Sequence, residues 1–270
     1  MLSIRSLFKR KNNSGNSFRI TRLDETDSTN AYIRRMLSAP QQGEVNTAAD
    51  QARYWVVTTE FQSSGRGQGT NTWESERGKN LLFSILCHPA WIPITSQFIL
   101  SEAIALAIRD ALAVYNDHFT IKWPNDIYWK DKKICGILIE NTLSGGHIKN
   151  CIIGPGINVN QQVFHSDAPN PVSLYQILGH EVDREALLQD ILKRFDANIQ
   201  ATINGDYATI IGNYTSWLYR LHGFYPYRDA DGDFEAALVE VEDDGHLVLR
   251  DREDRIHRYA FKEVEFIIKA

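Results

Sequence analysis

The stretch FTIKWPNDIYWKDKKICGILIENTLSGGHIKNCIIGPGINVN, residues 119–160, constrains the fold more than any other part of the chain. It contains four β-like segments, FTIKW, DIYW, KKICGILIE and HIKNCIIGPGINVN. Turns at Pro124–Asn125, Lys130–Lys132 and Ser144–Gly146 separate them. Parallel pairing needs a crossover of a dozen or more residues, so such close spacing favours antiparallel neighbours. The stretch also poses a chemical question. Lys122, Lys132 and Lys133 sit beside strands built for burial, and lysine is among the residues least often found inside.

The flanking sequence fills in an α+β plan. YWVVTTE (54–60) and NLLFSIL (80–86) are short β-rich runs. Between them lies FQSSGRGQGTNTWESERGK, too long for a hairpin turn; ordered loops of that length are usually functional. Residues 96–115 predict a helix, because Ile99, Leu100, Ala103, Ile104, Ala107, Ile108, Ala111 and Leu112 make one wide apolar face. A second helix spans 183–203, and a third helical piece runs from about Tyr207 to Leu221. Beyond Leu221, short alternating strands are punctuated by DADGD, EDDG and DREDR. The expected organisation is a flexible tail over 1–17, a main domain over 18–220 and a small β-barrel over 221–270.

Composition narrows the function classes. A net charge of −5 argues against a strongly basic nucleic-acid surface. Cys87, Cys135 and Cys151 lie far apart in apolar contexts without paired zinc spacing, which predicts buried thiols, no metal site and a reducing cytoplasmic setting. No apolar run reaches the ~18 residues of a membrane span. The N-terminus is basic at Arg5, Lys9, Arg10 and Lys11 but lacks the apolar core of a secretory signal.

Four motifs carry potential chemistry. In SSGRGQGTNTW, glycines permit close backbone approach and Arg66 supplies a planar donor fork suited to phosphate or carboxylate; a plain surface loop reads equally well. In KWPNDIYWKDKKICG, Lys122 and Lys133 flank a polar turn, and Gly136 interrupts a strand as glycines do where a ligand approaches; the alternative is a hairpin with solvated edge lysines. IIGPGINVN reads as a ligand-facing strand or as a β-bulge with turn asparagines. ETDSTNAYIRRML opens a helix that Asp27, Ser28 or Thr29 could cap.

Their combination and order, DSTN, then QxxGRG…W, KWPND…KxxG, GxGIN and a terminal β module, resembles the biotin protein ligases over about residues 18–268. The resemblance implies a mixed sheet with helices, related to class II aminoacyl-tRNA synthetases, followed by an SH3-like barrel. It implies activation of biotin by ATP and Mg2+ to biotinyl-5′-AMP. Transfer would follow to a lysine of a biotin carboxyl carrier protein or biotin-dependent carboxylase subunit. Carried over by motif, Lys133 and Arg66 become the electrostatic clamp on carboxylate and α-phosphate, and Asp126 a candidate to orient or deprotonate the acceptor lysine. Ser28, Thr29, Asn30, Gln62, Gly65, Gly67, Gln68, Gly136, Gly154 and Gly156 are expected at biotin, together with Arg66 and Lys133. Gln68, Asn71, Trp73, Lys122, Asn125 and Asn158 are expected at the nucleotide, with Arg66.

The chain departs from the family pattern in three places. Gly69 and Thr70 stand where members usually carry a cation and a glycine. Pro155 replaces an aliphatic residue in GPG, so its amide contact is lost. Only about 20 residues precede TRLDETDSTN, too few for an ordinary DNA-binding domain, which predicts a monofunctional enzyme without DNA or membrane partners. The resemblance leaves monomer or homodimer open. The competing readings are a lipoate or octanoate ligase on the same fold and a biotin sensor without turnover.

Overall fold

The computed structural model describes residues 17–38, 52–69, 71–166 and 170–268. The expected tail therefore lies outside the described residues, apart from Ser17. The elements run β1 (Phe18–Thr26), α1 (Thr29–Ser38), β2 (Tyr54–Gln62), β3 (Leu81–Cys87), α2 (Ile99–Leu112), β4 (Phe119–Lys122), β5 (Asp126–Trp129), β6 (Lys132–Ser144) and β7 (His147–Ile157). There follow α3 (Leu174–Leu178), α4 (Arg184–Ile203), α5 (Tyr207–Ser216), β8 (Tyr225–Asp229), β9 (Gly232–Val241), β10 (Leu247–Asp251), β11 (Ile256–Tyr259) and β12 (Glu265–Phe266).

Strands β4 to β7 form the expected antiparallel meander and occupy one side of a seven-stranded sheet ordered β1-β2-β3-β7-β6-β5-β4. Among the described strands of this sheet, β1 and β2 are the one parallel pair. The sheet's two faces differ in composition. Phe83, Ile85, Ile153, Ile157, Cys135 and Ile127 project toward α2 and α4 and are buried. The small residues Ala103, Ala107 and Ala111 lie in the same core, and small side chains let a helix approach a sheet closely. On the opposite face α1 covers one end, where Ile33 packs on Val57, Leu86 and Ile152. The rest of that face carries Gly154 and Gly156 on β7, Gly136 on β6, Asp126 on β5 and Lys122 on β4, aligned by register.

The third helix is shorter than expected. It stops at Ser216 because the next residues pair with the sheet edge: Ile121 N–H donates to the Trp217 carbonyl at 2.8 Å and Tyr219 N–H to the Ile121 carbonyl at 2.8 Å. The predicted 96–115 helix likewise trims to Ile99–Leu112, preceded by a 3-10 turn at Ile94–Ser96.

The C-terminal strands make a five-stranded antiparallel sheet, ordered β11-β10-β9-β8-β12. It curls upon itself. The Tyr259 hydroxyl of β11 donates to Asp229 at the end of β8 at 2.7 Å, spanning two intervening strands. The Phe234 ring on β9 also meets His257 and Tyr259 on β11. This is the barrel-like module the turn spacing predicts. It docks on the KWPND turn, where the Trp123 indole donates to the Gly245 carbonyl at 2.9 Å and Phe261 packs against Trp123 and Phe98.

That junction holds an uncomfortable carboxylate. Glu102 on α2 is 4% exposed, and its carboxylate has no hydrogen-bond partner among the described residues. Burial, aided by the charge of Asp243, pushes its pKa from 4.5 up to about 8. Between those values the folded protein retains a proton that the unfolded chain releases, so stability falls as pH rises through the window. Glu102→Gln is therefore expected to raise the melting temperature. The gain should grow from pH 5 to pH 8 and reach on the order of a few kcal/mol. Thermal unfolding at both pH values checks this, and an equal effect at both would contradict it.

Candidate active site

The loop after β2 closes on itself. Gly67 N–H donates to the Asn71 carbonyl at 2.8 Å and Trp73 N–H to the Gly65 carbonyl at 3.0 Å, with a bridge between Arg66 and Thr72. Gly65 is buried, and a Cβ there would stand 2.6 Å from the Trp73 carbonyl oxygen, so the position admits only glycine without rearrangement. Arg66 is exposed and makes no hydrogen bond or ion pair with any described residue. The side chains of Gln68 and Asn71 are similarly unengaged on the loop.

Trp73 returns from this loop onto the sheet. Its ring lies over Gly156 and Gly136, where a Cβ at Gly156 would come within 2.6 Å of the indole and one at Gly136 within 3.1 Å. The two glycines pair directly across β6 and β7. They make a floor without side chains, and the aromatic ring rests on it. The indole Nε1 is buried without a hydrogen-bond partner, a condition that costs free energy and calls for an explanation.

Lys133 stands at the edge of this floor. Its ammonium lies 2.7 Å from the Asp126 carboxylate, the side chains being 33% and 18% exposed. It is also 6.0 Å from the Trp73 ring centroid. A β-bulge between β5 and β6 displaces Lys133 from simple alternation. Its backbone is fixed from the far side: Lys133 N–H donates to Asn170 at 2.8 Å and Val172 N–H donates to Lys133 at 2.9 Å. The turn that carries Asp126 is equally tied down. Asn125 donates to the Ile137 carbonyl, and the Pro124 carbonyl accepts from Tyr214 at 3.4 Å.

Lys122, expected at the nucleotide, is flanked by aromatic rings. Its ammonium lies 4.5 Å from the Phe266 ring centroid and 5.4 Å from that of Tyr128. Burial depresses its pKa, while nearby Asp126 works in the opposite sense. Phe266 of the C-terminal module thus covers this lysine from one side, and Tyr128 of β5 lies near it in the main sheet. Lys132 is exposed, as a solvated edge residue should be.

The DSTN segment forms a polar end wall. The Ser84 hydroxyl contacts Thr29 Oγ1 and Asn30 Oδ1, both at 2.6 Å. Gln62 Oε1 accepts from Thr29 N–H at 2.9 Å. Asn30 Nδ2 donates to Glu140 at 2.8 Å, and Glu140 pairs with Arg34 at 2.7 Å. Ser28 is buried, and its hydroxyl is not engaged by a described residue. Asp27 accepts from Ser28 N–H at 2.8 Å and pairs with Arg35 at 2.5 Å. The hydrogen bond from Arg35 outweighs desolvation and holds its pKa at about 2.

At Gly154, expected at biotin, a Cβ would collide with the Asn30 amide, so this glycine admits Asn30. Pro155 is buried on the other face, and the β3–β7 pairing skips the residues opposite it. Asn158 is buried at the end of β7, donating to Val172 at 3.1 Å with its Oδ1 unpaired. Ser84, Glu140 and Arg34 escape sequence reasoning, although a serine inside the wholly buried run LLFSILC is a signal in its own right.

Among the described residues of the site, Asp126 is paired with Lys133. Among the described residues Glu242, Asp244 and His246 approach one another, but Arg258 hydrogen-bonds all three and takes up their charge. No helix among the described residues is long and apolar enough to cross a membrane.

Residues 34–158 match the biotin/lipoate A/B protein ligase family. The chain is 30% identical over 236 residues to the biotin–(acetyl-CoA-carboxylase) ligase of Paracoccus denitrificans, covering 84% of this chain and 92% of that one. It is 31% identical over 207 residues to the bifunctional ligase/repressor BirA of Bacillus subtilis, covering 73% of this chain but only 62% of the relative. Its structure is similar to the biotin protein ligase from Aquifex aeolicus in complex with biotin and ATP, with a TM-score of 0.73, 25% identity, and coverage of 93% and 99%. A glycine floor, a lysine–aspartate pair beside it and an unpaired loop arginine are thus found on a shared fold with shared sequence, and the chain belongs to the biotin protein ligase family.

Proposed function

We propose that this protein activates biotin with ATP as biotinyl-5′-AMP and transfers the biotinyl group to a lysine of a biotin carboxyl carrier domain. The observation that carries the reading is the placement of Lys133, paired with Asp126, beside the Gly136–Gly156 floor, with Arg66 unpaired on the adjoining loop.

Adenylation brings a carboxylate against the α-phosphate, two anions that repel. Lys133 and Arg66 offset that repulsion, and fixed donors of this kind are most effective where water is excluded. The Ser28, Thr29, Gln62 and Ser84 hydrogen-bonding groups at the end wall suit a polar ring such as the ureido group of biotin. The flat strip over Gly136 and Gly156 suits the body of the adenylate. Trp73 leaves that strip as ligand enters, and its unpaired Nε1 and the Asn158 Oδ1 gain partners. Gly154 supports the end wall through Asn30. Mg2+ arrives with ATP and is held by phosphates and water. When Lys133 turns to the phosphate, Asp126 is released to accept the proton of the acceptor lysine. Three buried free thiols, Cys87, Cys135 and Cys151, fit a reducing cytoplasmic setting.

Pyrophosphate exchange into ATP, measured with biotin, lipoate and octanoate in turn, tests this reading. Exchange driven by biotin alone is the expected result. Exchange driven by lipoate or octanoate would move the protein to the lipoate branch, and biotin binding without exchange would make it a sensor.

A further inference from the structure

We propose that the cavity between α2, α5 and the C-terminal module binds a linear aliphatic diamine or polyamine, with Glu102 receiving one of its ammonium groups. The cavity shares no lining residue with the candidate active site, and the proposal does not depend on the ligase reading.

Three observations converge on this cavity. First, it has a volume of about 260 Å³, and its walls are mostly apolar and aromatic: Trp91, Pro93, Ile99, Tyr207 and Ile211. The Trp91 indole donates to the Thr202 hydroxyl at 3.1 Å, which holds the ring in place. Second, Glu102 lines the same cavity, 4% exposed and with its carboxylate unpartnered among the described residues. A buried polar group without a partner costs free energy. Asp243 of the module lines the cavity as well. The turn that carries it is fixed, because Gly245 packs against Phe98 and its carbonyl accepts from the Trp123 indole at 2.9 Å. Third, the cavity continues into a more open groove that shares Ile211 and Asp243 with it and carries Glu240, Glu242 and Asp244. Arg258 pairs with Glu242 and Asp244. Glu240 is exposed and has no ion-pair partner among the described residues.

Two carboxylates in an aromatic-walled cavity match an ammonium group, which donates to carboxylates and is attracted to ring faces. Pro93, Ile99 and Ile211 suit the alkyl chain that carries it. A divalent metal matches less well, because it takes roughly six or more oxygen ligands and these apolar side chains supply none. The acidic groove gives a second ammonium its counter-charge at Glu240, so a linear diamine uses both compartments. A ligand held by Glu102 and Asp243 also ties the module to α2. Among the described residues, the titratable groups facing Glu102 are Asp243 from the module and Tyr207 and Tyr214 from α5, and burial keeps Tyr214 neutral. Burial and the Asp243 charge push the Glu102 pKa up to about 8. Below that pH a bound ammonium must displace a proton, so affinity falls as pH falls.

The test titrates the full chain by calorimetry with butane-1,4-diamine and spermidine, beside n-butylamine, butane-1,4-diol and Mg2+, and follows thermal unfolding in parallel. Both polyamines are expected to bind wild type and to raise its melting temperature. The monoamine should bind about tenfold more weakly, the weight of one charge-assisted contact, and the diol should not bind. Affinity for the diamine should fall about tenfold between pH 8.5 and pH 6.5. Glu102→Gln should weaken diamine binding by about tenfold or more and remove its pH dependence. Because that substitution is expected to stabilise the unliganded protein, the loss cannot be put down to unfolding. Glu240→Gln should bring the diamine down to the level of the monoamine. Failure of both polyamines to bind wild type overturns the proposal. So does equal binding by wild type and Glu102→Gln, which marks loose attraction to an acidic surface, or displacement of the diamine by Mg2+ at comparable concentration, which marks a metal site.

Discussion

Lys133→Ala is expected to slow biotin-dependent pyrophosphate release by about 10²–10³-fold, the usual loss when one preorganised charge-stabilising donor is removed. The side chain is one-third exposed at a pocket rim and its partner Asp126 also reaches solvent, so the fold should survive. The loss should fall on kcat, because the opposing charges of carboxylate and phosphate are closest in the transition state. Lys133→Arg should recover little: a planar guanidinium does not place its charge where a compact ammonium does. Far-ultraviolet circular dichroism and thermal unfolding alongside the kinetics separate this from misfolding. An active Lys133→Ala protein, or an unfolded one, would remove Lys133 from the centre of the account.

Gly156→Val is expected to act on binding instead. A Cβ at this position would stand 2.6 Å from the Trp73 ring and 2.8 Å from its Nε1, and two further methyl groups would occupy the strip over the floor. The affinity for biotin should drop by about five- to a hundredfold, since overpacking a fitted site commonly costs about 1–3 kcal/mol and every 1.4 kcal/mol is about tenfold. Trp73 must also find a new resting position, so its fluorescence should change in the unliganded protein. Isothermal titration with biotin, compared between wild type and variant, checks the first effect. Unaltered binding would show that the ligand does not lie on the Gly136–Gly156 strip.

The parts of this architecture that were readable from sequence share one property: their partners are near in the chain. The β4–β7 meander follows from apolar strands joined by turns too short for any crossover. The helical face of α2 follows from its three-and-four spacing. Strand β1 was not foreseen, because Phe18–Thr26 interleaves charges with its apolar residues and takes its hydrogen bonds from β2, parallel and distant in sequence. The early end of α5 was hidden for a similar reason, since Ile121 captures Trp217 and Tyr219 across the fold. At the candidate site, the motifs point to Lys133, Asp126, Arg66 and the glycines but do not say what covers each glycine. Trp73 lies on Gly136 and Gly156, whereas Asn30 fills the space at Gly154. That division depends on α1 and the long loop meeting over one sheet face, which spacing alone does not encode. Lys122 shows the same limit: its strand position was clear, but the Phe266 ring that encloses it comes from the far end of the chain.

The most direct test of the central claim is intact-mass spectrometry of a biotin carboxyl carrier domain after incubation with this protein, biotin, ATP and Mg2+. The expected result is one biotinyl mass increment on one lysine, absent without ATP and nearly absent with Lys133→Ala. A carrier of unchanged mass, with wild-type protein that binds both substrates, would contradict the account.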